Sequence, residues 1–228
     1  MKKFILILAT LAPLLAQPCS GNGQELADRV FFVVCYDATL KVPVWTAHLI
    51  RPEQLHGDSA RPTGFQHDIA LSGSHARNSD YRNSGYSRGH MVPAEDMAWS
   101  DAAIRSTFVL SNVVPQRQSV NGGIWRRLET AVREIAAAAD VTYVFTGPIF
   151  ASGIERIGVG AIAVPTHTFK IVLAFTRERK AFYAAIVPNG ATGNKPLSEF
   201  MTTVGEVECR TGLEFFKGAT AIPERAGQ

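Results

Sequence analysis

The sequence predicts an α+β fold in which helices flank a central, largely antiparallel β-sheet. Several stretches are rich in β-branched and aromatic residues, and helix-like stretches stand between some of them and near the C-terminal end. Of the 228 residues, 46% are hydrophobic and 19% are charged, which is typical of a globular protein with a proper core. No repeat or long linker interrupts residues 24–228, so we expect one domain there.

The predicted strands follow one another along most of this domain. "RVFFVVCYDATLKVPVWTAHLI" is β-rich on both sides of a polar turn at Asp37 to Lys41, which predicts a hairpin. "AAIRSTFVLSNVVPQ" predicts a short helix and then a strand that ends near Asn112. Three more strands are predicted at "VTYVFTGPIF", "AIAVPTHTFKIVLAF" and "KAFYAAIVPN".

Two stretches predict helices, and one predicts a long loop. "GGIWRRLETAVREIAAAA" carries apolar residues near helical spacing, at Ile124, Leu128, Val132 and Ile135. "PLSEFMTTVGEVECRTGLEFF" predicts a helix, a turn and a short final helix. Residues 51–89 are rich in Gly, Ser, Asn, Asp, Arg and Pro, and loops of this length in compact domains are commonly functional.

The first 23 residues have the pattern of a signal peptide. Lys2 and Lys3 precede an apolar run from Phe4 to Ala16 that is too short to span a bilayer comfortably. An uncleaved N-terminal anchor is the alternative, and the cleavage site lies somewhere between Ala16 and Gly23. We therefore expect a secreted or periplasmic protein with no membrane contact after cleavage.

The formal net charge is only +3, and Lys2 and Lys3 contribute to it. Charge alone therefore does not indicate a nucleic-acid-binding protein. A site for a polyanion would need local clustering of Arg and Lys.

The cysteines predict one disulfide. Loss of Cys19 with the signal peptide would leave Cys35 and Cys209, an even number in an exported protein, and we expect these two to pair. Two buried thiols that never meet are the alternative, because sequence does not place them in space. Without His or Cys at ligand spacing, the two cysteines indicate no zinc site.

The stretch "SGYSRGHMVPAEDM", at the end of the predicted long loop, combines three residues suited to phosphate chemistry. Arg88 can hold a phosphate through paired hydrogen bonds, and Gly89 permits backbone geometry that a Cβ would exclude. The neutral imidazole of His90 is suited to take a proton from water near neutral pH. A single histidine is more often a surface or core residue, so its neighbours carry this prediction.

A second polar cluster lies in "SNVVPQRQSVNGGIWRRLE". Asn112 lies at a predicted strand end and Asn121 just before a predicted helix. Glu129 lies two helical turns beyond Asn121, so both can approach one face. Amide and carboxylate oxygens suit a hard cation such as Mg²⁺. Spacing leaves open that Asn121 is only a helix N-cap and that Glu129 is an ordinary solvated helix residue.

Together with "VFTGPIF" and "AVPTHTFKIVL", these motifs resemble, in order and spacing, the DNA/RNA non-specific endonucleases. This ββα-metal, or His-Me finger, group includes secreted bacterial nucleases and nucleases of the mitochondrial endonuclease G type. The similarity runs from about Phe31 to "TGLEFF". It implies a ββα-metal motif set against the central sheet.

The resemblance also implies a role for each candidate residue. His90 matches the general base, and Arg88 matches the arginine that contacts the phosphate. Asn121 matches the one protein ligand of a catalytic Mg²⁺, for which Mn²⁺ can substitute. Glu129 matches the acidic residue that holds the waters of the metal. Asn112 matches an amide that helps to position the site and the substrate.

The activity implied is hydrolysis of phosphodiester bonds in DNA and RNA, leaving 5′-phosphate and 3′-hydroxyl ends. Because contacts to phosphate carry no sequence information, we expect cleavage with little sequence preference. A hydrolase of small phosphodiesters and a nucleic-acid-binding protein of the same fold with little or no turnover remain as alternatives. The sequence leaves open a homodimer and an immunity or inhibitor protein.

One residue departs from the usual family motif. Ser87 stands where the family commonly has Asp before the arginine. A serine keeps a hydroxyl for short local hydrogen bonds but adds no charge. We expect an active enzyme in which Ser87 supports Arg88 and His90 and takes no part in proton transfer.

Overall fold

The computed structural model describes residues 19–216. Most of the predicted signal peptide, up to residue 18, lies outside the described residues. Between residues 19 and 216, no helix combines the length and the apolar character needed to cross a bilayer.

Eleven strands form within the described part of the chain. They are β1 (Gln24–Asp28), β2 (Phe32–Asp37), β3 (Val42–Ile50), β4 (Ser87–His90), β5 (Val113–Gln116), β6 (Val141–Ile149), β7 (Arg156–Ile157), β8 (Ile162–Ala163), β9 (His167–Phe175), β10 (Lys180–Pro188) and β11 (Met201–Thr202). Seven of them build an antiparallel sheet in the order β1-β2-β3-β6-β9-β10-β11, while β4 pairs with β5 and β7 with β8. The predicted α+β fold with a largely antiparallel sheet is confirmed.

The helices are short, apart from one. They are α1 (Asn78–Tyr81), α2 (Asp101–Thr107), α3 (Arg126–Ala137) and α4 (Val204–Thr211). Single 3₁₀ turns lie at Pro52–Gln54, Glu95–Met97, Leu110–Asn112 and Leu197–Phe200, and a π-helical segment at Val120–Trp125 leads into α3. The stretch predicted as a helix, a turn and a short final helix forms the 3₁₀ turn Leu197–Phe200, the short strand β11 and then α4, which Gly212 ends in a left-handed conformation with φ 70°.

Residue alternation gives the central sheet two different buried faces. One face is apolar and includes Phe145, Phe169 and Ile171, which pack with Val207 of α4 and with Phe215. The opposite face packs against α3, through a cluster made of Ile50, Val132, Ala136, Val144 and Val172. This second face also carries polar residues, and they reach beneath the candidate site.

The disulfide joins Cys35 to Cys19, so the predicted pairing of Cys35 with Cys209 is wrong. Cys19 precedes β1, the strand that pairs with β2, and this hairpin brings the two Cα atoms to 5.5 Å. Cys209 lies exposed on α4 as a free thiol, while its neighbour Val207 turns into the core. Assigning Cys19 to the signal peptide had removed the actual partner of Cys35.

Candidate active site

The predicted base and the predicted phosphate ligand lie on the two-stranded hairpin β4–β5. Gly89 pairs with Val114, and His90 pairs with Val113. Side chains alternate along a strand, so Arg88 and His90 lie on one face and Gly89 on the other. A Cβ at Gly89 would come within 2.3 Å of Gln116 Oε1, so this close approach of the two strands requires glycine.

The His90 side chain is held between two phenylalanines. Its ring centroid lies 5.0 Å from that of Phe65 and 5.0 Å from that of Phe108. Its Nε2 atom is buried and has no hydrogen-bond partner in the described part of the chain. Burial, with the nearby positive charge of Arg61, lowers the pKa of His90 to about 3. The imidazole is therefore neutral at physiological pH, with a nitrogen free to accept a proton.

Arg88 is fixed by stacking and by one backbone contact. Its guanidinium carbon lies 5.0 Å from the ring centroid of Tyr81 and 5.7 Å from that of Phe65. Nη2 donates to the carbonyl of Asn78 at 2.8 Å, and the buried Nε has no partner among residues 19–216. The planar group thus keeps donors for a phosphate.

The hydroxyl of Ser87 donates through Oγ to Oε1 of Gln118, in the segment that leads to Asn121. Within residues 19–216 it forms no hydrogen bond with the side chain of Arg88 or His90, so any support for them is indirect. The hydroxyl ties the start of β4 to the segment that carries the predicted metal ligand.

Asn112 is fully buried, and its side-chain amide forms hydrogen bonds with backbone groups. Nδ2 donates to the carbonyls of Val92 and Thr107, both at 3.0 Å, and Oδ1 accepts from the Val92 amide at 2.9 Å. Both amide protons are therefore taken, which contradicts the expected contact between Asn112 and substrate. Asn112 positions the site by fixing the chain just after His90.

Asn121 lies inside the π-helical segment and not at its cap. The N-cap position belongs to Ser119, so the alternative of a plain N-cap role does not hold. The segment is kinked at Gly123, with φ −105° and ψ −108°. Within residues 19–216, the Asn121 side chain has no recorded hydrogen-bond partner, and its amide oxygen is available to a ligand.

Glu129 is not an ordinary solvated helix residue. Burial raises the pKa of Glu129 to about 8; the carboxylates of Asp96 and Glu95 also raise it, and the cations of Lys170 and Arg133 oppose them. Glu129 thus lies in the electrostatic field of a partly buried charge cluster, formed by His48, Asp96, Arg133 and Lys170.

Direct contacts join three residues of this charge cluster, and Lys170 is held by neighbours outside it. Asp96 accepts a hydrogen bond from His48 Nε2 at 3.0 Å, and it forms an ion pair with Arg133 Nη1 at 3.2 Å. Lys170, which is 2% exposed, donates from Nζ to Thr146 Oγ1 at 2.8 Å. Its Nζ also lies 4.9 Å from the ring centroid of Trp125. A buried charge needs such partners, because burying it alone is costly.

One hydrogen bond connects the hairpin to the start of the helix that carries Glu129. The indole Nε1 of Trp125 donates to the backbone carbonyl of His90 at 3.3 Å. Separately, Arg61, whose charge acts on His90, forms an ion pair with Glu95, whose charge acts on Glu129.

Sequence reasoning missed the residues that surround the predicted ones. Arg61, Asp96, Arg133 and Trp125 carry no local signal that distinguishes them from surface or core residues. Lys170 did carry one, because it is the only charged residue inside the apolar strand "HTFKIVLAF". A lone charge in a strand that is otherwise buried indicates an internal polar site.

The chain matches the sequence model of a known protein family. The model of the DNA/RNA non-specific endonuclease family matches residues 12–221. The chain belongs to this family. Hairpin β4–β5 followed by α3 supplies its ββα arrangement. The family consists of divalent-metal-dependent nucleases, and the chain is accordingly a nuclease.

Three relatives and one solved structure illustrate the similarity. Human "Endonuclease G, mitochondrial" is 34% identical over 89% of this chain and 72% of its own length. "Nuclease C1" of Cunninghamella echinulata var. echinulata is 34% identical over 86% and 84%, and the "Mitochondrial nuclease" of Saccharomyces cerevisiae is 32% identical over 90% and 70%. A chain in the crystal structure of the EndoG/EndoGI complex is 30% identical, with a TM-score of 0.79 over 84% of this chain and 85% of that one.

The comparisons contradict the predicted secreted or periplasmic location. The human and the Saccharomyces relatives are both named as mitochondrial proteins. The prediction of a secreted or periplasmic location is therefore wrong, because the N-terminal pattern alone does not identify the compartment.

Proposed function

We propose that this nuclease hydrolyses phosphodiester bonds of DNA and RNA in a Mg²⁺-dependent reaction in which His90 is the general base. The observation that carries the proposal is the buried, unpartnered Nε2 of His90, which lies two residues from Arg88. A neutral base beside a fixed cation is suited to activating water near a phosphate. We further propose that residues 24–228 act as one catalytic domain.

The donor set fits a hard cation held mostly by water. Within residues 19–216, no group of three or more His, Cys, Asp and Glu residues could hold a metal ion. The unpartnered amide oxygen of Asn121 is an oxygen donor of the kind Mg²⁺ accepts, and Mg²⁺ keeps several waters in such sites. Asn121 would therefore hold the ion directly, with Glu129 holding its waters. When bound, the ion supplies positive charge for the phosphate and for the leaving oxygen.

The other roles follow from the side chains themselves. His90 takes the proton of a water that attacks phosphorus in line with the leaving 3′ oxygen, which gives 5′-phosphate and 3′-hydroxyl ends. Arg88 donates to a non-bridging phosphate oxygen and stabilises the charge that grows there. Because these contacts reach phosphate and not base edges, we expect cleavage with little sequence preference, and DNA and RNA strands both offer such phosphates. Asn112 stays out of contact with substrate and maintains the position of His90.

Digestion of supercoiled plasmid and total RNA tests the proposal. We expect purified protein to cleave both with Mg²⁺ or Mn²⁺ and to stop in excess EDTA, with activity restored when metal is added back. Full activity in EDTA would overturn the metal requirement. Turnover of a chromogenic phosphodiester without cleavage of either polymer would show a hydrolase of small phosphodiesters instead.

A further inference from the structure

A cavity adjoins the hairpin that carries Arg88 and His90. Its volume is about 350 Å³, and its lining includes Tyr86, Arg117 and Glu155. Tyr86 directly precedes β4, and Arg117 directly follows β5. The wall of the cavity therefore continues the strands of the candidate active site.

A cation stacked on an aromatic ring forms one wall of this cavity. The guanidinium carbon of Arg117 lies 4.6 Å from the ring centroid of Tyr86. The backbone amide of Arg117 donates to Asn189 Oδ1 at 2.8 Å, and Asn189 Nδ2 donates to the carbonyls of Pro115 and Pro165. Asn189 therefore holds the backbone of Arg117 in place, while the planar guanidinium keeps a face for a further ring.

A carboxylate lies at the polar end of the same ring. The Tyr86 hydroxyl donates to Glu155, with its oxygen 3.0 Å from Oε1 and 3.1 Å from Oε2. Burial and Glu155 raise the pKa of Tyr86, so the phenol stays protonated. Each carboxylate oxygen has a further lone pair and can accept from a ligand. Much of the remaining lining is small or rigid, as at Ala151, Gly153, Pro165, Pro188 and Gly190.

We propose that this cavity binds one unpaired nucleobase of the substrate strand, next to the phosphate held at Arg88. Its volume lies at the lower end of the range of small-molecule sites, roughly 300–1,000 Å³. Bases stack on aromatic rings and on arginine planes without regard to sequence. Glu155 then accepts a hydrogen bond from an exocyclic amine of the base. This inference rests on the proposed nuclease function.

The distance between Tyr86 and Arg88 fits the step from one nucleotide to the next. Tyr86 and Arg88 are two residues apart, which corresponds to roughly 7 Å of strand. One nucleotide of an extended strand bridges such a distance. A base that remains paired in a duplex cannot enter the cavity, so the site acts on single-stranded or locally opened substrate.

An abasic scan in the catalytically inactive His90→Ala protein tests the inference. The affinity of labelled single-stranded oligonucleotides is measured by fluorescence anisotropy, with one abasic nucleotide moved along the strand. We expect one position to weaken binding by roughly 5- to 150-fold, the range of one base-stacking contact. Adding Arg117→Ala should weaken binding of the intact strand by a similar factor. It should also remove most of the difference between the intact and the abasic strand.

Arg179→Ala is the matched control for Arg117→Ala. Arg179 is an exposed arginine in the turn before β10, while Asn189 follows the other end of that strand. The control should keep the abasic sensitivity. If Arg117→Ala weakens binding but the abasic strand binds as the intact strand does, the cavity holds only an anion and the inference is overturned.

Glu155→Leu tests the contact with the exocyclic amine, because it removes both acceptor oxygens. Replacing adenine at the sensitive position by unsubstituted purine removes only that amine. We expect the replacement to weaken binding to protein that keeps Glu155 and to have little effect with Glu155→Leu. Glu178, which lies in the same turn as Arg179, provides the control, and Glu178→Leu should respond to the replacement as protein with an intact Glu155 does. Equal binding of both purines to every variant would contradict the contact.

The binding assay also separates this inference from the proposed function. Failure of the wild-type protein to cleave any nucleic acid would contradict the proposed function, while the anisotropy still measures base binding. Normal cleavage by the wild type, with no abasic-sensitive position in the scan, would overturn the base site alone.

Discussion

Both faces of the central sheet are buried, yet only one of them carries charge. On the apolar face, Phe145 and Phe169 pack against Phe215 with ring centroids 5.7 Å apart in each case. On the opposite face, Thr46, Thr146 and Lys170 lie side by side on β3, β6 and β9. Lys170 and Ile171 are neighbours in one strand and turn to opposite faces.

The difference between the two faces shows where this fold buries groups that cost free energy. Burying apolar side chains stabilises the protein, whereas burying a charge costs free energy unless partners compensate it. The costly groups lie together beneath the candidate site, where Lys170 meets Trp125 and Trp125 meets the carbonyl of His90. The apolar face therefore maintains the fold, and the polar face serves the site.

The largest effect on rate is expected at the base. His90→Ala should lower the cleavage rate by at least ~10²–10⁴-fold, because positioned proton transfer contributes about that much. Asn121→Ala should be comparably damaging through loss of the metal. Initial rates on plasmid at saturating Mg²⁺ check this. Near-native turnover of either variant, with an unchanged circular dichroism spectrum, would show that its role is wrongly assigned.

Removing the charge from the polar face should affect both stability and rate. Lys170→Met removes one of the two cations that act on Glu129, the other being Arg133, and the loss of compensating charge near a carboxylate should lower the free energy of unfolding. Lys170 lowers the pKa of Glu129, so its loss raises that pKa and leaves less carboxylate at pH 7. We expect a lower rate at pH 7 that recovers partly above pH 8. A pH–rate profile identical to that of the wild type would contradict this.

The neighbouring residue on the apolar face provides the contrast. Ile171→Ala should cost about 2–5 kcal/mol of unfolding free energy through the cavity it leaves. The rate per folded molecule should stay at the wild-type value, because Ile171 faces away from the site. Denaturant unfolding and active-site-normalised kinetics measure the two quantities. A rate loss as large as that of Lys170→Met would remove the distinction between the faces.

The smallest effect is expected at Ser87. Loss of one hydrogen bond to Gln118 is worth about 0.5–1.5 kcal/mol, so Ser87→Ala should reduce turnover about tenfold or less. Ser87→Asp should stay active. Turnover against Mg²⁺ concentration compares the wild type with both variants. An inert wild type beside an active Ser87→Asp variant would mean that the natural site is disabled.

Local patterns were sufficient for much of the fold. The polar turn at Asp37 to Lys41 and the helical spacing from Ile124 to Val132 lie where the sequence predicted a hairpin and a helix. Such signals are local, since turn residues and periodicity act over a few positions. Strand β1 was not predicted, because its pairing with β2 depends on chain contacts and its own composition is largely polar.

The fold class, the family motifs and the residue types that can act on a phosphate were predictable from the sequence, because they depend on composition and short-range order. The partner of Cys35, the hydrogen bonds of the Asn112 amide and the surroundings of Glu129 and Lys170 became visible only in the folded chain. Those outcomes depend on contacts between residues far apart in the chain. Burial and neighbouring charge change the chemistry of a side chain, and neither is fixed before the chain has folded around it.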